Sequence, residues 1–148
     1  MDKLIAFLDQ QGIEYEIIEH RQQINTAQEG ADFFGIHIGQ TAPTLILKTD
    51  NGFFALIISG DFGRVDFEPL KALLQVQQIK LAKPPEVEAV TGSKTGSVSL
   101  IQQHLPAIID RGLYRFDYVY GGTGFPNTTL KIRPNDLEKL VKTIAYIR

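Results

Sequence analysis

The sequence predicts an α+β domain, a mixed and mostly antiparallel sheet with helices packed against it. Two observations carry this reading. Strand-like runs outnumber what a regular βαβ alternation would supply, and two of them, residues 45–48 and 53–59, are joined by TDNG, whose Asn51-Gly52 pair is a strong hairpin signal. No segment repeats with a fixed period, which sets solenoids and propellers aside.

Each element follows from local chemistry. Leu4, Ile5, Phe7 and Leu8 recur at helical spacing behind Asp2, and Gly12 stands where a helix end takes a left-handed residue, so a first helix is expected over residues 2–11. IEYEII (13–18) alternates apolar and acidic residues and reads as a strand with one wet face. Thr26 followed by Glu29 has the spacing of a capping box, opening a second helix over 26–34. In the hairpin, a turn at Asn51-Gly52 sets Lys48 opposite Ala55. Lys48 then shares a face with Ile46 and Ile57, while Leu45, Leu47, Leu56 and Ile58 fill the other.

Downstream, residues 59–66 read as a loop, 67–75 as a helix with Pro69 in its first turn, and 78–82 as a short strand. PPEVEAVTG (84–92) has prolines at its entry and Gly92 at its exit, again a helix. SKTGSVSL (93–100) is too small to pack a core and suits close approach of backbone to a ligand. Residues 107–110, 118–122 and 128–132 are strand candidates, with a turn at TGFPN between the last two. A closing helix is expected over 133–144, capped by Asn135 or Asp136, with Leu137, Leu140, Val141 and Ile144 as its buried stripe.

A length of 148 residues fits one domain, 1–148, and 43% hydrophobic with 22% charged residues is ordinary for a folded soluble chain. The net charge of −2 gives no global attraction to a polyanion, so an RNA partner would need a local basic patch. The absence of cysteine removes thiol nucleophiles and thiolate zinc sites, and suits a cytoplasmic protein. His20, His37 and His104 lack ligand spacing and read as surface or hydrogen-bonded residues; no metal is called for. The acidic amphipathic start does not resemble a signal peptide, and no apolar run approaches the ~20 residues needed to span a bilayer, so no membrane partner is expected.

Lys48 raises a question, because an ammonium flanked by apolar residues must reach solvent or find an anion. Either its tip snorkels out near the turn or it faces a pocket. The small-residue loop Gly96-Ser97-Val98-Ser99 tips the reading towards the pocket, since its amides could receive an oxyanion beside a cation.

Together these features resemble the YbaK/prolyl-tRNA-synthetase-associated family of aminoacyl-tRNA editing domains. The resemblance spans EHRQQINTAQEGADFFGI, then TAPTLILKTDNGFFALIISGD, in which Lys48 falls on the family's strand lysine. It continues through the segment 64–100, with its glycine loop, to PAIIDRGLYRFDYVYGGTGFPNTTLKIRPNDLEKLV. Two departures stand out: Leu100 where the family loop has proline, and Tyr120 where a small residue precedes the glycine pair.

The resemblance implies a barrel-like sheet flanked by helices and a trans-acting deacylase that hydrolyses the ester of mischarged tRNA, with tRNA-Pro carrying Ala or Cys as a candidate. It implies Lys48, Gly96, Ser97 and Ser99 as the catalytic set: the lysine on the RNA end, the loop amides on the carbonyl. Thr26, Ala27, Ile46, Val98, Asp110, Tyr120, Gly121, Gly122 and Asn127 would bind substrate. Water is the nucleophile, with a substrate hydroxyl relaying the proton and no cofactor. The partners expected are the 3′ end of aminoacyl-tRNA and an aminoacyl-tRNA synthetase, with oligomeric state left open. Two alternatives stand beside it, a non-catalytic module that binds aminoacyl-tRNA or a small ligand, and an interaction domain using a sheet edge.

Overall fold

The structure, a computed structural model, describes residues 1–148. Helix α1 (Asp2–Gln10) buries Leu8 and is followed by β1 (Tyr15–Glu19). Helix α2 (Ala27–Phe34) begins on the expected capping box. Thr26 Oγ1 accepts the Glu29 amide at 3.1 Å, and Glu29 Oε2 accepts the Asn25 amide at 3.1 Å. Strands β2 (Thr44–Thr49) and β3 (Gly52–Ile57) form the hairpin.

Its register pairs Lys48 with Phe53 rather than with Ala55, because Asp50-Asn51 make the turn and Gly52 already stands in the strand at φ 92°. A shift of two residues keeps every side chain on its own face. Ile46, Ala55 and Ile57 accordingly join one apolar cluster, and Leu47, Leu56 and Ile58 the other.

Helix α3 (Phe67–Leu74) is capped by Asp66, whose carboxylate accepts the Glu68 amide at 3.0 Å. Strand β4 (Ile79–Leu81), helix α4 (Pro84–Thr91) and a short 3₁₀ turn (Thr95–Ser97) come next. The rest is β5 (Pro106–Asp110), β6 (Val119–Gly121), β7 (Thr128–Ile132), α5 (Pro134–Leu140) and β8 (Lys142–Ile147).

The closing helix is shorter than its periodicity suggests. It stops at Leu140, Val141 turns to an extended conformation, and KTIAYI pairs parallel with β5 as strand β8. Ile144, expected in a helical stripe, is 51% exposed, whereas Leu137, Leu140 and Val141 are buried as expected. The open edge of β5 supplies the hydrogen bonds that decide this; a run with β-branched and aromatic residues takes them readily. Arg133 occupies the N-cap without a side-chain bond, and Pro134 fills the first turn, one or two residues before the expected cap.

Mixed and mostly antiparallel pairing is present, in two sheets that do not close into a barrel. One is β1-β7-β6, wholly antiparallel; the other is β4-β2-β3-β5-β8, antiparallel at β4-β2-β3 and parallel at β3-β5-β8. The larger core belongs to both: Val119, Leu130 and Ile132 of the small sheet cluster with Ile46, Ala55, Ile57 and Ile109 of the large one. Backbone also links them directly, since the Ala42 amide donates to the Tyr120 carbonyl at 2.8 Å. No helix is long and apolar enough to cross a membrane.

Candidate functional site

The linkage at Ala42 frames a cavity of about 310 Å³, bounded by parts of both sheets and by α2. Ala27, Gly30 and Phe34, spaced three and four apart, give the inner stripe of α2. Thr41 to Leu45 supply the lead-in to β2, Tyr120 to Gly122 the end of β6, and Phe125 to Thr129 the turn and start of β7. Thr95 to Val98 form the opposing lip.

Two glycines set how closely these walls approach. A Cβ at Gly122 would lie 2.1 Å from the Val98 carbonyl oxygen, and one at Gly121 would lie 2.9 Å from the Leu100 side chain. The Leu100 amide donates to the Gly122 carbonyl at 2.9 Å, a bond that a proline at position 100 could not make. This chain therefore fixes its loop by a hydrogen bond at the position where the resemblance leads one to expect proline.

His20 supplies the cavity's only imidazole, and the wall has no carboxylate, ammonium or guanidinium. Its Nδ1 lies 2.7 Å from the Gln22 carbonyl, which can only accept, so Nδ1 carries the hydrogen. In the neutral ring Nε2 then accepts from the Thr129 hydroxyl at 3.0 Å. The imidazole also packs against Phe33 and Phe34, and Phe34 stacks on Tyr120 at 5.1 Å between centroids. Across the cavity, the Thr44 hydroxyl is buried and is the one such side-chain atom in the molecule without a hydrogen-bond partner. A buried hydroxyl left unpaired costs about 1–3 kcal/mol.

Of the residues singled out from sequence, Thr26, Ala27, Gly96, Ser97, Val98, Tyr120, Gly121, Gly122 and Asn127 lie together in this wall. Lys48, Ile46, Ser99 and Asp110 do not. Lys48 projects from the expected face of β2 but does not reach the cavity: its ammonium is 2.5 Å from Glu86 Oε2 on α4, with the side chain 40% exposed. The lysine beside it, Lys80 on β4, adds to the field that holds the Glu86 carboxyl low, first through the Lys48 hydrogen bond and next through the Lys83 amide. The strand lysine thus has a carboxylate partner from a helix, and no hollow is needed to explain it.

Ile46 is buried in the larger core. Ser99 turns its hydroxyl back to accept the Ile101 amide at 3.1 Å. Within the loop itself, the Ser97 amide is donated to the Lys94 carbonyl at 2.8 Å, so it is spent before any oxyanion arrives.

Asp110 is fully buried at the end of β5, where its carboxylate accepts from the Ser59 and Gly112 amides at 2.9 and 2.8 Å and from Arg148 at 2.7 Å. Burial alone would raise its pKa, but Arg148 and the two amides outweigh that and hold it below the usual value. Asp61 shares the cluster, bonded to Ser59, Arg115 and Arg148, and is likewise drawn down to about 2 against the push of desolvation. The cluster ties β5, the loop after β3 and the chain's last residue together, so Asp110 is an architectural carboxylate.

Sequence reasoning missed His20, Phe34, Thr44, Phe125 and Thr129. Thr44 had a readable signal: it shares the β2 face of Ile46 and Lys48, and a threonine opening an apolar strand needs a partner. The others meet through pairing of β1 with β7 and the packing of α2 beside them, which sequence spacing does not encode.

The chain matches the aminoacyl-tRNA editing domain over residues 21–140. It is 31% identical over 99 residues, 66% of its length, to proline–tRNA ligase of Caldicellulosiruptor bescii, and 27% identical over 116 residues, 77% of its length, to that of Thermosipho melanesiensis. These stretches amount to only 17% and 20% of those ligases. Among solved structures it superposes on a hypothetical protein with a TM-score of 0.88 and 25% identity, covering 97% of each chain. A candidate trans-editing enzyme for prolyl-tRNA synthetase gives a TM-score of 0.85 at 24% identity, over 97% of this chain and 92% of that one. With the match spanning most of the cavity wall as well as the core, this chain belongs to the aminoacyl-tRNA editing domain family.

Proposed function

We propose that the cavity takes the aminoacyl group at the 3′ end of a mischarged tRNA and that its ester is hydrolysed there. The observation that carries this reading is a small cavity without charged side chains, walled by α2, parts of both sheets and the Gly96–Val98 lip. About 310 Å³ is at the low end of ligand sites, which run from about 300 to 1,000 Å³, and fits a small neutral amino acid. Editing of such residues is needed because one methylene changes binding by only about 1–3 kcal/mol.

In this reading the backbone of Gly96 and Val98 lies against the aminoacyl carbonyl, and water attacks. The wall offers no carboxylate or thiol to take the proton, so the vicinal ribose hydroxyl relays it, with the His20–Thr129 pair bordering the path. Likeness to proline–tRNA ligases favours tRNA-Pro carrying alanine or cysteine as substrate. Deacylation of Ala-, Cys- and Ser-tRNA-Pro, with Pro-tRNA-Pro as control, tests it. Selective hydrolysis of one of the small noncognate esters is expected, and hydrolysis of none refutes it.

The absence of any carboxylate or thiol from the wall favours a second reading, a module that binds aminoacyl-tRNA without cleaving it. Tight binding to the same panel with every ester intact would select that reading.

A further inference from the structure

Five large apolar side chains are exposed, and of these only Phe125, 46% exposed, lines the cavity. Its backbone is fixed at both ends. The Phe125 amide donates to Thr123 Oγ1 at 3.1 Å, and its carbonyl accepts from Thr128 Oγ1 at 3.1 Å. The flanking residues are pinned too: the Gly124 carbonyl accepts from Ser93 Oγ at 2.9 Å, and the Asn127 carbonyl accepts the His20 amide at 3.0 Å. Asn127 holds φ 60° and Gly124 φ 96°, backbone states that turn the loop sharply and present residue 125 at its tip. The exposed Phe33 leans on His20 and Phe34, but no ring or cation of the molecule packs against Phe125.

An exposed aromatic ring with a free face, carried on a hydrogen-bonded loop at the mouth of a small cavity, has the form of a stacking platform. The substrate's covalent structure says what would reach it. In an aminoacyl-tRNA the ester and the terminal base hang on one ribose, so a carbonyl held inside the cavity leaves the base one sugar away, at its mouth.

We propose that Phe125 stacks on the 3′-terminal adenine of the RNA, an inference that rests on the aminoacyl-tRNA reading of the cavity. The backbone that carries the ring is fixed before binding, so only side-chain freedom is lost when the base arrives. The contact reads the presence of a base and not the identity of the amino acid.

The test is binding of the full chain to an RNA acceptor-stem hairpin ending in CCA and to the same hairpin with an abasic terminal nucleotide, by fluorescence anisotropy. The wild type should prefer the intact end about 5- to 150-fold, the range that one stacked base supplies. Phe125→Trp should keep that preference, whereas Phe125→Ala and Phe125→Leu should abolish it, the leucine because it preserves apolar bulk without a π face. No preference in the wild type, or a preference surviving in Phe125→Leu, overturns the proposal. Selective ester hydrolysis without the base preference would sink the stacking contact alone. The base preference without hydrolysis would sink the deacylase reading and leave the contact standing.

Discussion

Replacing Gly122 with alanine tests whether the close approach of β6 to the Gly96–Val98 lip sets the cavity. Gly122 is not in the left-handed region, so alanine meets no backbone penalty and the whole effect comes from contact. The new Cβ would stand 2.1 Å from the Val98 carbonyl oxygen, and Cβ contacts essentially never fall below 3.0 Å, so the lip must retreat by at least 3.0 − 2.1 = 0.9 Å. Overpacking of this kind costs about 1–3 kcal/mol, which for a chain of this size is roughly 3–10 °C in melting temperature. A displacement near 1 Å at groups holding the reacting carbonyl costs about 100-fold in rate. Thermal unfolding and single-turnover deacylation measure the two effects. Gly96→Ala is the fold control, because its nearest neighbour, Asn25 Oδ1, is 3.9 Å away. A Gly122→Ala protein with wild-type melting and wild-type hydrolysis would refute the reasoning.

Thr44→Val should leave stability unchanged or raise it by about 1 kcal/mol, since it removes an unpaired buried hydroxyl; a loss of more than about 1 kcal/mol in thermal unfolding would show that the hydroxyl is bonded. Lys48→Met should cost under about 1 kcal/mol and leave kcat/KM within about twofold, because its ammonium pairs with Glu86 outside the cavity. A tenfold or larger loss of hydrolysis in a folded Lys48→Met protein would return the lysine to the mechanism. Asp61 has a folded pKa of about 2 against an ordinary 3.8, so its ion pairs contribute fully above pH 3.8 and are lost as pH falls through about 2. Urea midpoints between pH 5 and 2 should fall less steeply for Asp61→Asn than for the wild type, and equal slopes would contradict the assignment.

Most of the fold was legible wherever local chemistry decides. The Thr26 cap, the prolines of α4 and the hairpin faces all act within a few residues of themselves. Strand β8 was not, because residues 142–147 read equally well as the tail of an amphipathic helix, and only the distant edge of β5 settles the matter. The site divides in the same way. Its glycines and small loop residues advertise close approach, so nine of the thirteen expected positions meet in one wall. Lys48 and Asp110 lie outside that wall, since an ion pair from α4 is invisible in strand periodicity and Arg148, the partner of Asp110, is 38 residues further along the chain.

The cavity sits at the seam where two independent sheets meet, and the seam is spanned by the bonds from Ala42 to Tyr120 and from Leu100 to Gly122. Its width is thus a spacing between two stiff plates, not the sum of side chains facing inward. Thinning or thickening the shared filling, at Ile57 or Leu130 for instance, would let the plates slide and re-gauge which amino acid fits, with no cavity residue altered.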